Sequence, residues 1–254
     1  MKVALCLQGQ PRNWKQTVQY MKKYVIDPYN ADVFGHTWWD KNLIGKPYDV
    51  APFAPQNKYF VESDTVQKLI DAYNFKKFKT DIPCNFLTET HYNVGVPEKH
   101  DSIIDSLKSR YFSLKNVLTL VEEYEKESGI IYDWVCISRY DLRIWLMPML
   151  ILLHPHKLYV EDYMHSGRKW ILNDNFMIFG KKHKFIYKTL YDNFDKTYEM
   201  VLNMPEKYLQ IIKGTELEKC KVVNGEEFMA FHLLFNNALQ DAIQTKELKI
   251  DVIP

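Results

Sequence analysis

The stretch HDSIIDSLKSRYFSLKNVLTLVEEYEKESGIIYDWVCISRYD, residues 100–141, decides the fold. Ile103, Ile104, Leu107, Tyr111, Leu114, Val117, Leu118, Val121 and Tyr124 recur at short intervals that trace one face of a helix. Ser128-Gly129 ends the pattern, because glycine takes the left-handed backbone that closes a helix. Residues 132–137 follow as a nearly continuous apolar run, the mark of a strand buried on both faces, and the polar Ser138-Arg139-Tyr140-Asp141 closes it. A long helix delivered straight into such a strand is the repeating unit of an α/β sheet.

The same alternation extends toward both termini. Residues 2–8 form a short apolar run that opens into Gln8-Gly9-Gln10-Pro11, and Trp14, Val18, Met21 and Val25 then give a helix face over residues 12–26. Residues 31–38 predict a second strand, 40–56 a Pro-rich loop, 63–73 a capped helix and 75–81 a third strand. Beyond Asp141, strands are expected at 157–160 and 170–179, and helices at 182–194, 205–212 and 226–240. The reading is a single α/β domain over residues 1–254 with a mostly parallel central sheet flanked by helices. Residues 1–141 and 142–254 are its two halves, divided at the end of the strand that closes on Asp141.

The 254 residues carry 33 Lys and Arg against 32 Asp and Glu, so no overall charge draws the chain to nucleic acid or an anionic membrane. At 46% hydrophobic and 15% aromatic, it has the material for a large aromatic core. Cysteines 6, 84, 136 and 220 form no C-x-x-C pair, and two lie inside apolar runs, which predicts reduced core thiols and a reducing compartment. The first seven residues lack the features of a signal peptide, and the longest apolar stretch, 144–153, is too short to span a bilayer, so a cytoplasmic protein without a transmembrane segment is expected.

In open α/β sheets the ligand lies beyond the carboxyl ends of the strands. Two ends carry chemistry. Gln8-Gly9-Gln10-Pro11-Arg12 offers backbone access, two amides and a guanidinium suited to phosphate, although Gly and Pro also serve turn geometry alone. Ser138-Arg139-Tyr140-Asp141 presents a carboxylate that suits a divalent metal bridging two phosphates, or else a plain Arg139–Asp141 ion pair closing a turn. No G-x-x-x-x-G-K-[ST] phosphate loop is present, which argues against P-loop kinases and sulfotransferases.

The ordered set of residues 8–12, 31–38 and 132–142, with Asn173 to Gly180 and Gly225-Glu226-Glu227-Phe228 behind it, resembles the small GT-A glycosyltransferases of large DNA viruses and bacterial polysaccharide clusters. The resemblance implies transfer of a sugar from a nucleotide-activated donor to a hydroxyl of a glycan or glycoprotein, metal-assisted and inverting, in the cytoplasm (of the host, if the source is viral). It implies that Gln8, Gly9, Gln10, Arg12, Arg110, Ser138 and Arg139 hold the donor, and that Asp141 ligates Mn²⁺ or Mg²⁺. The family motif is Asp-x-Asp; here Arg139 stands where its first carboxylate would be.

Asp174, pinned before an apolar strand, is the general-base candidate, since transfer requires a group that accepts the acceptor's proton; a turn aspartate is the structural alternative. Glu161 and Asp162 are its rivals. Trp38-Trp39 and Trp170 could stack on a sugar, and Glu227 and His232 are the remaining acceptor-side candidates; each also has a plain structural reading as core aromatic, helix N-terminal carboxylate or core histidine. His154 and His156, separated by Pro155, read as loop residues. A catalytically silent nucleotide- or sugar-binding module of the same fold is the alternative function, and the feature that separates the two is whether Asp141 and Asp174 share one cleft.

Overall fold

Along the first strand, Val3, Leu5 and Leu7 pack into one core cluster and Ala4 and Cys6 into another, the two-sided burial that its unbroken apolar run requires. The computed structural model describes residues 1–48, 59–86, 92–95, 97–162, 170–220 and 224–252; the expected loop at 40–56 lies partly outside them. The strands are β1 (Val3–Gly9), β2 (Asp32–Trp38), β3 (Lys77–Asp81), β4 (Trp134–Arg139), β5 (Leu142–Leu146), β6 (Leu158–Glu161), β7 (Phe176–Gly180), β8 (Ala242–Thr245) and β9 (Lys249–Val252). Seven of them form one sheet in the order β3-β2-β1-β4-β7-β6-β8, and β5 pairs with β9 in a separate antiparallel ribbon. β1, β2, β3 and β4 are mutually parallel, and β6 is parallel to β8; β7 alone runs against both of its neighbours.

The helices are α1 (Trp14–Met21), α2 (Asp27–Tyr29), α3 (Thr65–Tyr73), α4 (His100–Ser128), α5 (Lys181–Lys188), α6 (Phe194–Leu202), α7 (Glu206–Ile212), α8 (Glu216–Lys219) and α9 (Gly225–Phe235), with a π-helical turn, Lys22–Ile26, joining α1 to α2. α4 contributes Ile104, Leu107, Tyr111, Leu114, Val117 and Val121 to one face of the sheet, and Gly129 at φ 73° closes it as the sequence predicts. α1 and α3 cover the other face with Met21, Leu69 and Tyr73. Among the described residues no helix is long and apolar enough to cross a membrane. All four cysteines are free thiols, with Cys6 and Cys136 buried.

Several boundaries differ from expectation for local reasons. The strand expected over 170–179 begins only at Phe176, because Trp170 has φ 69° and the Asn175 N–H turns back to Asn173 Oδ1 at 3.0 Å. The helix expected over 182–194 stops at Lys188, where the Thr189 hydroxyl bonds to the Ile186 carbonyl at 2.9 Å, and α6 follows as a separate helix. α9 ends at Phe235 and not near 240, since Asn237 turns left-handed at φ 55°.

Candidate active site

β1 lies between β2 and β4, all parallel, so three carboxyl ends meet at one edge. Register places His36, Gln8 and Arg139 abreast. They share the α4 face, two residues beyond the buried Cys6 and Phe34. The Gln8 side chain is buried to 2% exposure, yet among the described residues neither its Nε2 nor its Oε1 has a hydrogen-bond partner. Buried amides are ordinarily satisfied, so Gln8 is an exception among the described residues.

Gly9 follows at φ +93°, a conformation that favours glycine and turns the chain toward α1. Its N–H donates to Ser113 Oγ of α4 at 2.9 Å, and its carbonyl accepts from the Thr37 hydroxyl at 2.9 Å. Ser113 Oγ also lies 2.7 Å from His36 Nδ1, and His36 Nε2 lies 2.9 Å from Asp81 Oδ2. Burial lowers the His36 pKa against the opposing pull of Asp81, which favours the neutral ring. The neutral arrangement satisfying every contact has Nε2–H donating to Asp81, Ser113 O–H donating to Nδ1, and Gly9 N–H donating to Ser113. A relay of polar groups thus fixes the glycine of the loop from β3.

At the end of β4, Arg139 holds Asp141 with two parallel bonds, Nε to Oδ1 at 2.8 Å and Nη2 to Oδ2 at 2.6 Å. Arg12 Nη2 approaches the same Oδ2 at 3.2 Å. Thr17 of α1 donates its hydroxyl to the Tyr140 carbonyl, which anchors the turn. Arg139 Nη1 also donates to Asn175 Oδ1 at 3.1 Å, tying β4 to the turn before β7. Asp174, next to that asparagine, pairs through Oδ2 with Arg110 Nη1 of α4 at 2.6 Å, while a second Arg110 nitrogen donates to the Asp174 carbonyl. Asp141 and Asp174 therefore sit at one edge, linked by Arg139 and Asn175. Gly225 makes room for Asp174, since a Cβ there would lie 2.2 Å from Oδ2.

The other expected residues divide. Ser138 is buried, and its hydroxyl donates to the Arg139 carbonyl at 3.0 Å. Glu161 is buried among polar partners, accepting from Asn173 Nδ2 and from Ile250 N–H at 3.0 Å each, and burial pushes its pKa up to about 7. Half-buried Asp162 continues the β6–β8 pairing through its N–H to the Thr245 carbonyl at 3.1 Å. Trp170 is a core residue. Glu227 lies in the first turn of α9, its N–H capped by Asn224 Oδ1 at 3.0 Å. His232 is wedged among α5 and α6, donating from Nε2 to the Ile186 carbonyl at 3.0 Å and accepting at Nδ1 from Thr197 at 3.2 Å; burial pulls its pKa down to about 4.

Sequence reasoning passed over His36 and Asp81, whereas Trp38 and Trp39, read as a surface for a sugar, lie in a wall beyond β2. A cavity of ≈ 280 Å³ opens there, lined by Gln10, Trp38, Trp39, Asp40, Lys46 and Tyr48 among others. A histidine inside a buried strand was the available signal for His36. Gln10 belongs both to this cavity and to the 8–12 loop, and its Oε1 is buried with no hydrogen-bond partner among the described residues.

The residues at Asp141 do not fit Mn²⁺ or Mg²⁺. Such a cation takes carboxylate oxygens, whereas both oxygens of Asp141 are engaged by guanidinium nitrogens and two cationic side chains already flank it. Among the described residues no group of three or more His, Cys, Asp or Glu side chains could hold a metal ion. Asp141 stands in this structure as a carboxylate clamped by Arg139 and approached by Arg12.

Fold and site together define a mixed α/β, Rossmann-like protein with its polar site across the carboxyl edge of a seven-stranded, mostly parallel sheet. No family model and no curated protein matches the chain. Among solved structures it is similar to a glycosyltransferase involved in the glycosylation of the major capsid of PBCV-1, at 8% identity and a TM-score of 0.37, over 96% of this chain and 82% of that one.

Proposed function

We propose that this protein is a GT-A-type glycosyltransferase that moves a sugar from a nucleotide donor to a hydroxyl of a glycan or glycoprotein. The observation that carries the reading is the buried, unpartnered Gln8 amide beside Arg139, continuous through the 8–12 loop with the aromatic cavity at Gln10. That sequence of groups matches a nucleotide sugar part by part. Aromatic walls and Asp40 suit a base and ribose, Arg12 and Arg139 suit a diphosphate, and the Arg139–Asn175–Asp174 side suits the sugar and its acceptor.

In the proposed transfer an acceptor oxygen forms a bond to the anomeric carbon as the bond from that carbon to the phosphate oxygen breaks. The bonding pair leaves with the nucleoside diphosphate, and the acceptor's proton passes to Asp174. Arg110 orients that carboxylate through Oδ2. Attack opposite the leaving group inverts the anomeric configuration. The test is Asp174→Asn: turnover should fall roughly 10²- to 10⁴-fold with donor affinity held, as for loss of a general base. Near-parental turnover, or a product of retained configuration by NMR, would remove Asp174 from this role. A second reading, binding without transfer, draws on the Arg110 ion pair that occupies Asp174; donor binding with no product from any acceptor would favour it.

A further inference from the structure

At the carboxyl edge two guanidiniums, those of Arg12 and Arg139, share one carboxylate. Asp141 is a buried carboxylate, 3% exposed, gripped on both oxygens by Arg139 and on one also by Arg12. Burial disfavours the charge of Arg139 and the Asp141 carboxylate restores it, so the guanidinium stays cationic in the site. Arg139 is fixed on a second side by Asn175, and Arg12 is set by the turn after Gly9. Three neighbouring contacts thus hold two planar, phosphate-seeking groups at the end of the loop proposed to receive the nucleotide.

We infer that the site handles the donor's diphosphate without a divalent cation: Arg12 and Arg139 bind and neutralise the departing phosphate, and Asp141 is the positioning residue that holds the two guanidiniums together. The inference rests on the nucleotide-sugar reading above. Its physical basis is the donor set. A cation placed on Asp141 would have to displace two bonds from a fixed guanidinium and then stand beside two positive charges. A phosphate meets the same groups with opposite charge, and preorganised charge of this kind stabilises a leaving group without reorganisation. As the bond to the anomeric carbon breaks, the leaving diphosphate gains one negative charge, which the arginines face directly.

Isothermal titration of the unaltered protein with UDP, GDP, ADP and inorganic pyrophosphate, in excess EDTA and again in excess Mn²⁺, tests this. The expected result is binding of at least one nucleoside diphosphate with an affinity that changes by less than about twofold between the two conditions, well under one decade of Kd. Arg139→Ala and Arg12→Ala should each weaken pyrophosphate binding by about tenfold or more, the worth of a lost charge-assisted bond. Asp141→Asn should leave the binding metal-independent but weaker, since it loosens the group that holds the two guanidiniums together. Binding that requires Mn²⁺ and disappears in Asp141→Asn would overturn the inference while leaving the transferase reading in place. Failure of every probe under both conditions would overturn the transferase reading and this inference with it. The EDTA comparison uses no variant, so a folding defect in one of the substitutions leaves the decision intact.

Discussion

Gly225→Ala should destabilise the protein, although helix propensity alone points the other way. An alanine methyl would stand 2.2 Å from Asp174 Oδ2, 3.3 Å from its Cγ and 3.5 Å from Leu107 Cδ2. The aspartate cannot step aside cheaply: it is 5% exposed, and Arg110 holds both its carboxylate and its carbonyl. Forcing a methyl into such packing costs roughly 1–3 kcal/mol, while replacing glycine at the first position of α9 returns less than the ~1 kcal/mol of a helix interior. A net loss of about 1–2 kcal/mol follows, enough to shift the urea midpoint at unchanged slope. Asp174→Ala removes the obstacle, so the same glycine substitution in that background should be neutral or stabilising. The double-mutant cycle then gives a coupling of about 1–3 kcal/mol. An equal cost in both backgrounds, or a stabilised Gly225→Ala single variant, would refute the contact as the reason for glycine at 225.

Two further outcomes follow from buried polar groups. Glu161, with its pKa raised by burial to about 7, contributes stability that is fully present below the unfolded carboxyl value and is lost as pH rises through the folded one. Between pH 5 and pH 8 this amounts to about 2–3 kcal/mol, and Glu161→Gln should flatten that part of the stability–pH profile measured by urea titration; an unchanged slope would mean that Glu161 ionises freely in the folded state. Ser113→Ala leaves the Gly9 N–H and the His36 Nδ1 without their partner, which should cost about 1–3 kcal/mol by thermal denaturation and weaken nucleoside-diphosphate binding by loosening the loop, whereas Ser113→Thr should restore part of both. A variant as stable and as tight-binding as the parent would show that the relay does not position Gly9.

The elements legible in the sequence are those whose period is set by a local environment. β1 and β4 are unbroken apolar runs because both faces of each are covered, and α4 repeats at helical spacing because one face lies on the sheet for its whole length. Their polar carboxyl ends, Gln8 to Arg12 and Ser138 to Asp141, are assigned to a ligand edge by strand direction alone, since parallel strands in such sheets end there. The sequence also contained the Arg139–Asp141 pair as one of two readings.

Which reading holds is a tertiary matter. Arg12 reaches Asp141 across 129 positions only because β1 and β4 pair in parallel register, and that approach adds a second arginine to the Arg139–Asp141 pair. The reversal of β7 was equally hidden: Phe176 to Gly180 is apolar whichever way it runs, and its direction is fixed by pairing with both β4 and β6. The β5–β9 ribbon joins segments more than a hundred residues apart, and the Ser113–His36–Asp81 relay joins a helix to two strands. Side-chain period records how each element is buried; it carries no record of which distant charge will lie beside it.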